Sequence, residues 1–134
     1  MPDSIPHDVV SLAEESRGEL PADFFLYYDD LQGALARGTI PEALSARGPD
    51  GSAWYGKIGP AILSELEVLL CTDDTKYAEV RKRGEQLGQT TIGAIGASVA
   101  LQFGLTVAMA TGAVAFIAIA IAKIGAATFC RMRR

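Results

Sequence analysis

Residues 86–122 form a run of 37 residues without one ionisable side chain. A helix stays in water because charged and polar groups cover its outer face. A run this long without charges therefore belongs in lipid or deep in a protein core. A bilayer crossing takes about 20 helical residues at about 1.5 Å each. One straight helix of about 55 Å would overshoot. Divided around Ala110–Gly112, the run yields two arms, about 89–109 and 113–129. The second arm reaches that length by taking in Lys123, whose methylene stem can snorkel toward the headgroups.

The flanking charges fit the same topology. Arg81, Lys82 and Arg83 precede the first arm, and Arg131, Arg133 and Arg134 follow the second. Basic residues favour the cytosolic side, and only a hairpin places both clusters there. With Lys123, these residues are read as interfacial anchors. The expectation is a transmembrane helical hairpin over 86–130 in the cytoplasmic membrane, a basic tail at 131–134, and both termini in the cytosol.

The hairpin has faces of its own. At 100° per residue, Gly93, Gly96, Ala97, Ala100, Gly104 and Ala108 share one side of the first arm. Ala115, Ala118, Ala122 and Ala126 make a matching row on the second. Small residues let helix backbones approach closely in lipid, so these rows are expected to pack together. Thr91, Ser98, Gln102 and Thr106 lie opposite, as a polar stripe directed at a second copy, another membrane protein or water. Their hydroxyls can also bond their own backbone, which would leave only Gln102 to satisfy.

The rest of the chain is different. Residues 1–80 hold fifteen acids against five bases, whereas 81–134 hold seven bases against Glu85, for a net charge of −4. The acidic half lacks the basic surface that nucleic-acid binding requires. Residues 1–85 read as an acidic, soluble helical domain, punctuated by glycine and proline, with a core that is modest without help from the membrane part or a partner. Together the two parts define an all-α fold class. A short helix is expected over 8–17, and a second with Pro21 in its first turn and Gly38 at its end. A third is expected over 40–47, a fourth opening at Pro60 with Ile62, Leu63, Leu66, Leu69 and Leu70 on one face, and a fifth starting at Thr72.

Phe24, Phe25, Tyr27 and Tyr28, with Trp54 and Tyr55 in a glycine-rich loop, are a candidate partner surface; core packing is the commoner use of such aromatics. Cys71 and Cys130 flank the apolar run and do not amount to a disulfide framework; on a cytosolic face both would stay reduced. The first sixteen residues carry four acids and no sustained apolar run, so they do not read as a signal peptide.

His7 is the single histidine, and no phosphate-binding glycine motif is present. No catalytic residue, cofactor, metal or small-molecule substrate is therefore expected. Asp29–Asp30 and Asp73–Asp74 are adjacent pairs, splayed by about 100° on a helix, and suit helix ends or surfaces. In layout the chain loosely resembles the hydrophobic hairpin of pore-forming bacteriocins, without a shared motif. Two functions compete: a membrane-perturbing or pore-forming effector that self-associates through the hairpin, and a non-catalytic, membrane-anchored adaptor whose helical domain binds a cytosolic partner. A membrane-bound helical enzyme and an apolar hairpin buried within a soluble oligomer rank below both.

Overall fold

A computed structural model describes residues 7–40, 54–72 and 88–133. Six α-helices and no strand occur among the described residues. They are α1 (His7–Ser16), α2 (Ala22–Arg37), α3 (Gly59–Cys71), α4 (Gln89–Phe103), α5 (Val107–Ile124) and α6 (Ala126–Met132). The helices expected over 40–47 and beyond Thr72 lie outside the described residues, as do Arg81, Lys82, Arg83, Arg134 and the side chain of Tyr55. The hydroxyl of Thr72 donates to the Val68 carbonyl at 2.8 Å, closing the end of α3.

Pro21, expected in the first turn of α2, sits just before it at the N-cap. Asp23 lies in the first turn and Arg37 in the last, both complementing the helix dipole. Gly38 ends the helix. Its N–H donates to Leu35 at 3.2 Å, and Thr39 N–H donates to Ala34 at 3.2 Å, the paired bonds of a Schellman cap. Phe24, Tyr27, Tyr28, Leu31, Ala34 and Leu35 form the buried stripe at helical spacing. On α3, Ile62, Leu63, Leu66 and Leu69 do the same after Pro60.

The charge-free run turns elsewhere than its length suggests. Gly104 adopts a left-handed φ of 69°, which costs glycine little, and Leu105 N–H reaches back to Ala100 at 3.0 Å. Two residues later the Thr106 hydroxyl caps α5 by accepting from Met109 N–H at 3.1 Å. The turn therefore falls at Gly104–Thr106, and the expected division at Ala110–Gly112 is corrected: Ala110, Thr111 and Gly112 lie buried inside α5. A second interruption, Gly125 at φ 93°, separates α5 from α6 within the expected second arm.

The core is organised around α5, which packs on α1, α2, α3, α4 and α6. It is buried on every side from Ala110 to Ala118, and again at Ala120 and Ile121. Gly112 lies where α1 crosses, against Ser16; any side chain there would overlap it. Gly96 gives α4 the same closeness to Thr111. One apolar cluster runs from Val9 through Leu31, Leu66 and Ile117 to Phe129. Each large side chain fully buried there contributes about 1.5–3 kcal/mol.

Among the described residues, α5 alone is long and apolar enough to cross a membrane: 18 residues, mean hydropathy 2.2, with 61% buried in the bundle. The 15 residues of α4 span about 22 Å, short of a bilayer core of about 30 Å. The two helices make a hairpin, but only one arm has spanning length.

Candidate functional site

Two features have functional geometry: the hairpin tip with the helix it leads into, and a cleft where α1, α2 and α5 meet. At the tip, Leu101 is 89% exposed and Val107 60% exposed, with Phe103 and Leu105 half-buried between them and Met109 half-buried just beyond. No charge lies in this stretch. Ser98, Gln102 and Thr106 are also exposed here.

The expected polar stripe is thus corrected. Thr91 is buried, because α4 turns it toward the core beside Ile92 and Ile95. Thr106 belongs to the turn and caps α5. Ser98 and Gln102 remain as an exposed pair one turn apart. The row of small residues is likewise split. Gly96 and Ala100 face inward, Gly93 is half-buried, and Ala97 is exposed. Gly104 forms the turn, and Ala108 lies exposed on α5, because the helix ends before both. Ala115 and Ala118 are buried, while Ala122 and Ala126 are half-buried, the last on α6.

The cleft measures about 680 Å³, within the size range of small-molecule sites. Phe25, Tyr28 and Phe116 form its aromatic wall, joined by Val10, Ile119 and Ala122, with Glu14, Arg17, Asp29, Gln32 and Lys123 supplying the polar groups. Arg17 comes from the 3₁₀ turn Arg17–Glu19 that follows α1. Its guanidinium lies 5.5 Å from the Phe25 ring centre and 5.2 Å from that of Phe116. It also pairs with Glu14 at 3.6 Å, where both side chains are more than half exposed, so the pair contributes little. Stacking on two rings fixes the cation over the cleft and adds about 0.5–1 kcal/mol at such exposure.

The aromatic residues divide between core and cleft. Phe24, Tyr27, Tyr28 and Trp54 are buried. Phe24 stacks on Tyr28 at 5.6 Å and meets Trp54 edge-on at 5.0 Å. Phe116, brought by α5, closes on Phe25 at 5.8 Å and Tyr28 at 5.4 Å. Of the candidate partner surface, Phe25 and the edge of Tyr28 therefore reach the cleft. Burial pushes the Tyr28 hydroxyl above its ordinary pKa; the Arg17 cation opposes that rise and the Asp29 carboxylate adds to it.

The basic residues have distinct positions. Lys123 is exposed in the last turn of α5, where its charge complements the dipole, and it opens onto the cleft. A smaller hollow of about 130 Å³ adjoins through the shared Gln32 and Lys123. Arg131 is exposed and donates to the Thr128 hydroxyl at 3.4 Å. Arg133, expected as an interfacial anchor, is bound to Glu67 of α3 at 2.9 Å, with its side chain 13% exposed.

The two cysteines are also corrected. Cys71 and Cys130 are joined in a disulfide, their Cα atoms 5.5 Å apart although 59 positions separate them. The spacing was not read as a disulfide framework, and a cytosolic face would have kept both reduced; the fold brings the end of α3 against α6. Arg17, Phe116 and this pair are what a linear reading missed. Among the described residues, no group of three or more His, Cys, Asp or Glu side chains is arranged to hold a metal ion, and His7 lies exposed at the start of α1. No protein family, curated protein or solved structure matches the chain.

Proposed function

We propose that this is a small, non-enzymatic membrane-perturbing protein that stores its insertable element, the α4–α5 hairpin, inside a helical bundle. The observation that carries the reading is α5 itself. It is uncharged until Lys123, has a mean hydropathy of 2.2, and would span about 27 Å. Beside it, the tip offers Leu101 and Val107 to solvent with no charge to oppose entry into lipid. Entry exchanges the protein surroundings of α5 for acyl chains, at little cost to its apolar side chains. The exposed Ser98 and Gln102 then give membrane-bound copies a polar face through which to self-associate. The site of action in this reading is the cytoplasmic membrane.

The test is dye release from phosphatidylethanolamine–phosphatidylglycerol vesicles by the full chain. Release that falls at least fivefold for Leu101→Glu/Val107→Glu supports the reading, because both positions are exposed and the variant should keep its fold by circular dichroism. Intact vesicles at high protein-to-lipid ratio contradict it.

A second reading is a non-catalytic adaptor in which α5 is only the core, and it is favoured by the cleft. Phe25, Phe116 and the stacked Arg17 present the aromatic and arginine chemistry that anchors protein contacts. Carbonate extraction of membranes separates the two. Retention in the pellet supports the membrane protein, and release supports the adaptor.

A further inference from the structure

Behind α5, on the seam between α3 and α6, lie two ties that the membrane reading leaves unused. One is the Cys71–Cys130 disulfide. The other is the Arg133–Glu67 pair at 2.9 Å, joining α3 one turn before Cys71 to the residue that follows α6. The α3 side of the seam is fixed, since Leu63, Leu66 and Leu69 are fully buried. The α6 side follows α5 after the single residue Gly125, whose φ of 93° breaks the helix. Only a few residues therefore separate the end of α5 from a covalent link to the core.

We infer that the Cys71–Cys130 disulfide is a redox-operated latch that holds α5 in the bundle until a dithiol reductant opens it. The inference rests on the membrane reading above. The bond closes a chain segment containing α4 and α5 entire, so any opening that removes α5 from α3 must work against the crosslink. Against a fully unfolded chain a crosslink across some 60 residues is worth about a thousandfold, and an opening that keeps the helices draws on part of that. Both cysteines are half-buried rather than enclosed, and exchange proceeds once a thiolate reaches one of the sulfurs.

The chemistry balances without a cofactor. A thiolate of the dithiol attacks one cysteine sulfur, forming a mixed disulfide and expelling the other cysteine as a thiolate. The second thiol of the reductant then displaces the first cysteine. Two electrons pass to the protein, both cysteines end as thiols, and the reductant leaves as its own disulfide. What remains at the seam is the Arg133–Glu67 pair and the burial of Phe129, neither of them covalent.

The test uses the full chain, oxidised, reduced with dithiothreitol, and reoxidised, alongside Cys71→Ser/Cys130→Ser. Hydrogen exchange at 107–124 is followed in water, and flotation with phosphatidylethanolamine–phosphatidylglycerol vesicles is followed in parallel. The expected result is exchange at least a hundredfold faster after reduction, with helical circular dichroism retained, and reversal on reoxidation. Vesicle binding should rise at least tenfold in the reduced form and in the serine variant. Equal exchange in both redox states overturns the latch. Loss of all helical signal on reduction also overturns it, because the bond would then be a plain staple. Faster exchange without vesicle binding in either state supports the latch and rejects the membrane reading. Equal vesicle binding with equal exchange rejects the latch and leaves the membrane reading standing.

Discussion

The two arms of the hairpin are both uncharged through residue 122, yet the bundle uses them differently. α4 is 15 residues long, and shows Ala97, Ser98, Leu101 and Gln102 to solvent while burying Ile92, Ile95 and Val99. α5 is 18 residues long and is buried on every side over its middle, residues 110–118. Absence of charge alone does not sort a helix into lipid or core. What separates the arms is how many faces find apolar partners: one face for α4, every face for the middle of α5. An all-round apolar helix suits both environments, and the proposed transfer of α5 rests on that double fitness.

The sharpest contrast is in stability. Ile117→Ala in the middle of α5 should cost about 2–5 kcal/mol, because the site is fully buried and enclosed by several helices. Leu101→Ala on α4 should stay within about 0.5 kcal/mol, since the side chain is 89% exposed. Urea unfolding compares them; equal costs would break the distinction between the arms.

Within α4 itself, the two glycines should behave oppositely. Gly96→Val drives a side chain into the backbone of Thr111 and should cost about 1–3 kcal/mol. A Cβ at Gly93 meets nothing within 4 Å, so Gly93→Ala should gain about 0.5–1 kcal/mol from helix propensity. Thermal unfolding of both variants reads the difference. A loss at Gly93 equal to that at Gly96 would mean the small residues act as one packing row after all.

At the same contact, the Thr111 hydroxyl is buried with no hydrogen-bond partner among the described residues. Thr111→Val keeps the shape and removes the unmet group, and should stabilise the bundle by about 1 kcal/mol. Destabilisation on the same measurement would show that the hydroxyl is satisfied in water.

The smallest effect is spectroscopic. Tyr28 is buried where α2 meets α5, and its pKa is raised, first by that burial. The neutral phenol is then the form the fold prefers. Its contribution is fully present below the unfolded value near 10 and is lost as pH rises through the higher folded value. Absorbance near 295 nm should show a late-titrating tyrosine that vanishes in Tyr28→Phe. It should titrate later still in Arg17→Gln, which removes the opposing cation. An unchanged curve in Tyr28→Phe would contradict the burial of that ring.

Much of this was readable from the chain, because local signals decide local structure. Pro21, Gly38 and Pro60 mark helix ends through backbone chemistry that needs no tertiary context. The hairpin turn was also written locally, as Gly104 followed by Thr106. Dividing the run by bilayer-sized lengths pointed to Ala110–Gly112 instead, where a small residue meets α1 rather than a turn. The cleft and the disulfide were not readable, because both depend on distant pairs. Arg17 stacks on Phe116, and Cys71 bonds Cys130 across 59 positions. Only packing α5 in the centre brings such residues together.

That central position makes the most direct test a protease-protection measurement on the full chain with vesicles. Protein would be floated with phosphatidylethanolamine–phosphatidylglycerol vesicles under reducing conditions, digested with proteinase K, washed with carbonate and read by mass spectrometry. The account predicts a vesicle-retained fragment containing Val107–Ile124, and rapid digestion of α1 and α2. Intact protein left in the supernatant, with no fragment on the vesicles, would contradict the storage of a membrane helix in this bundle.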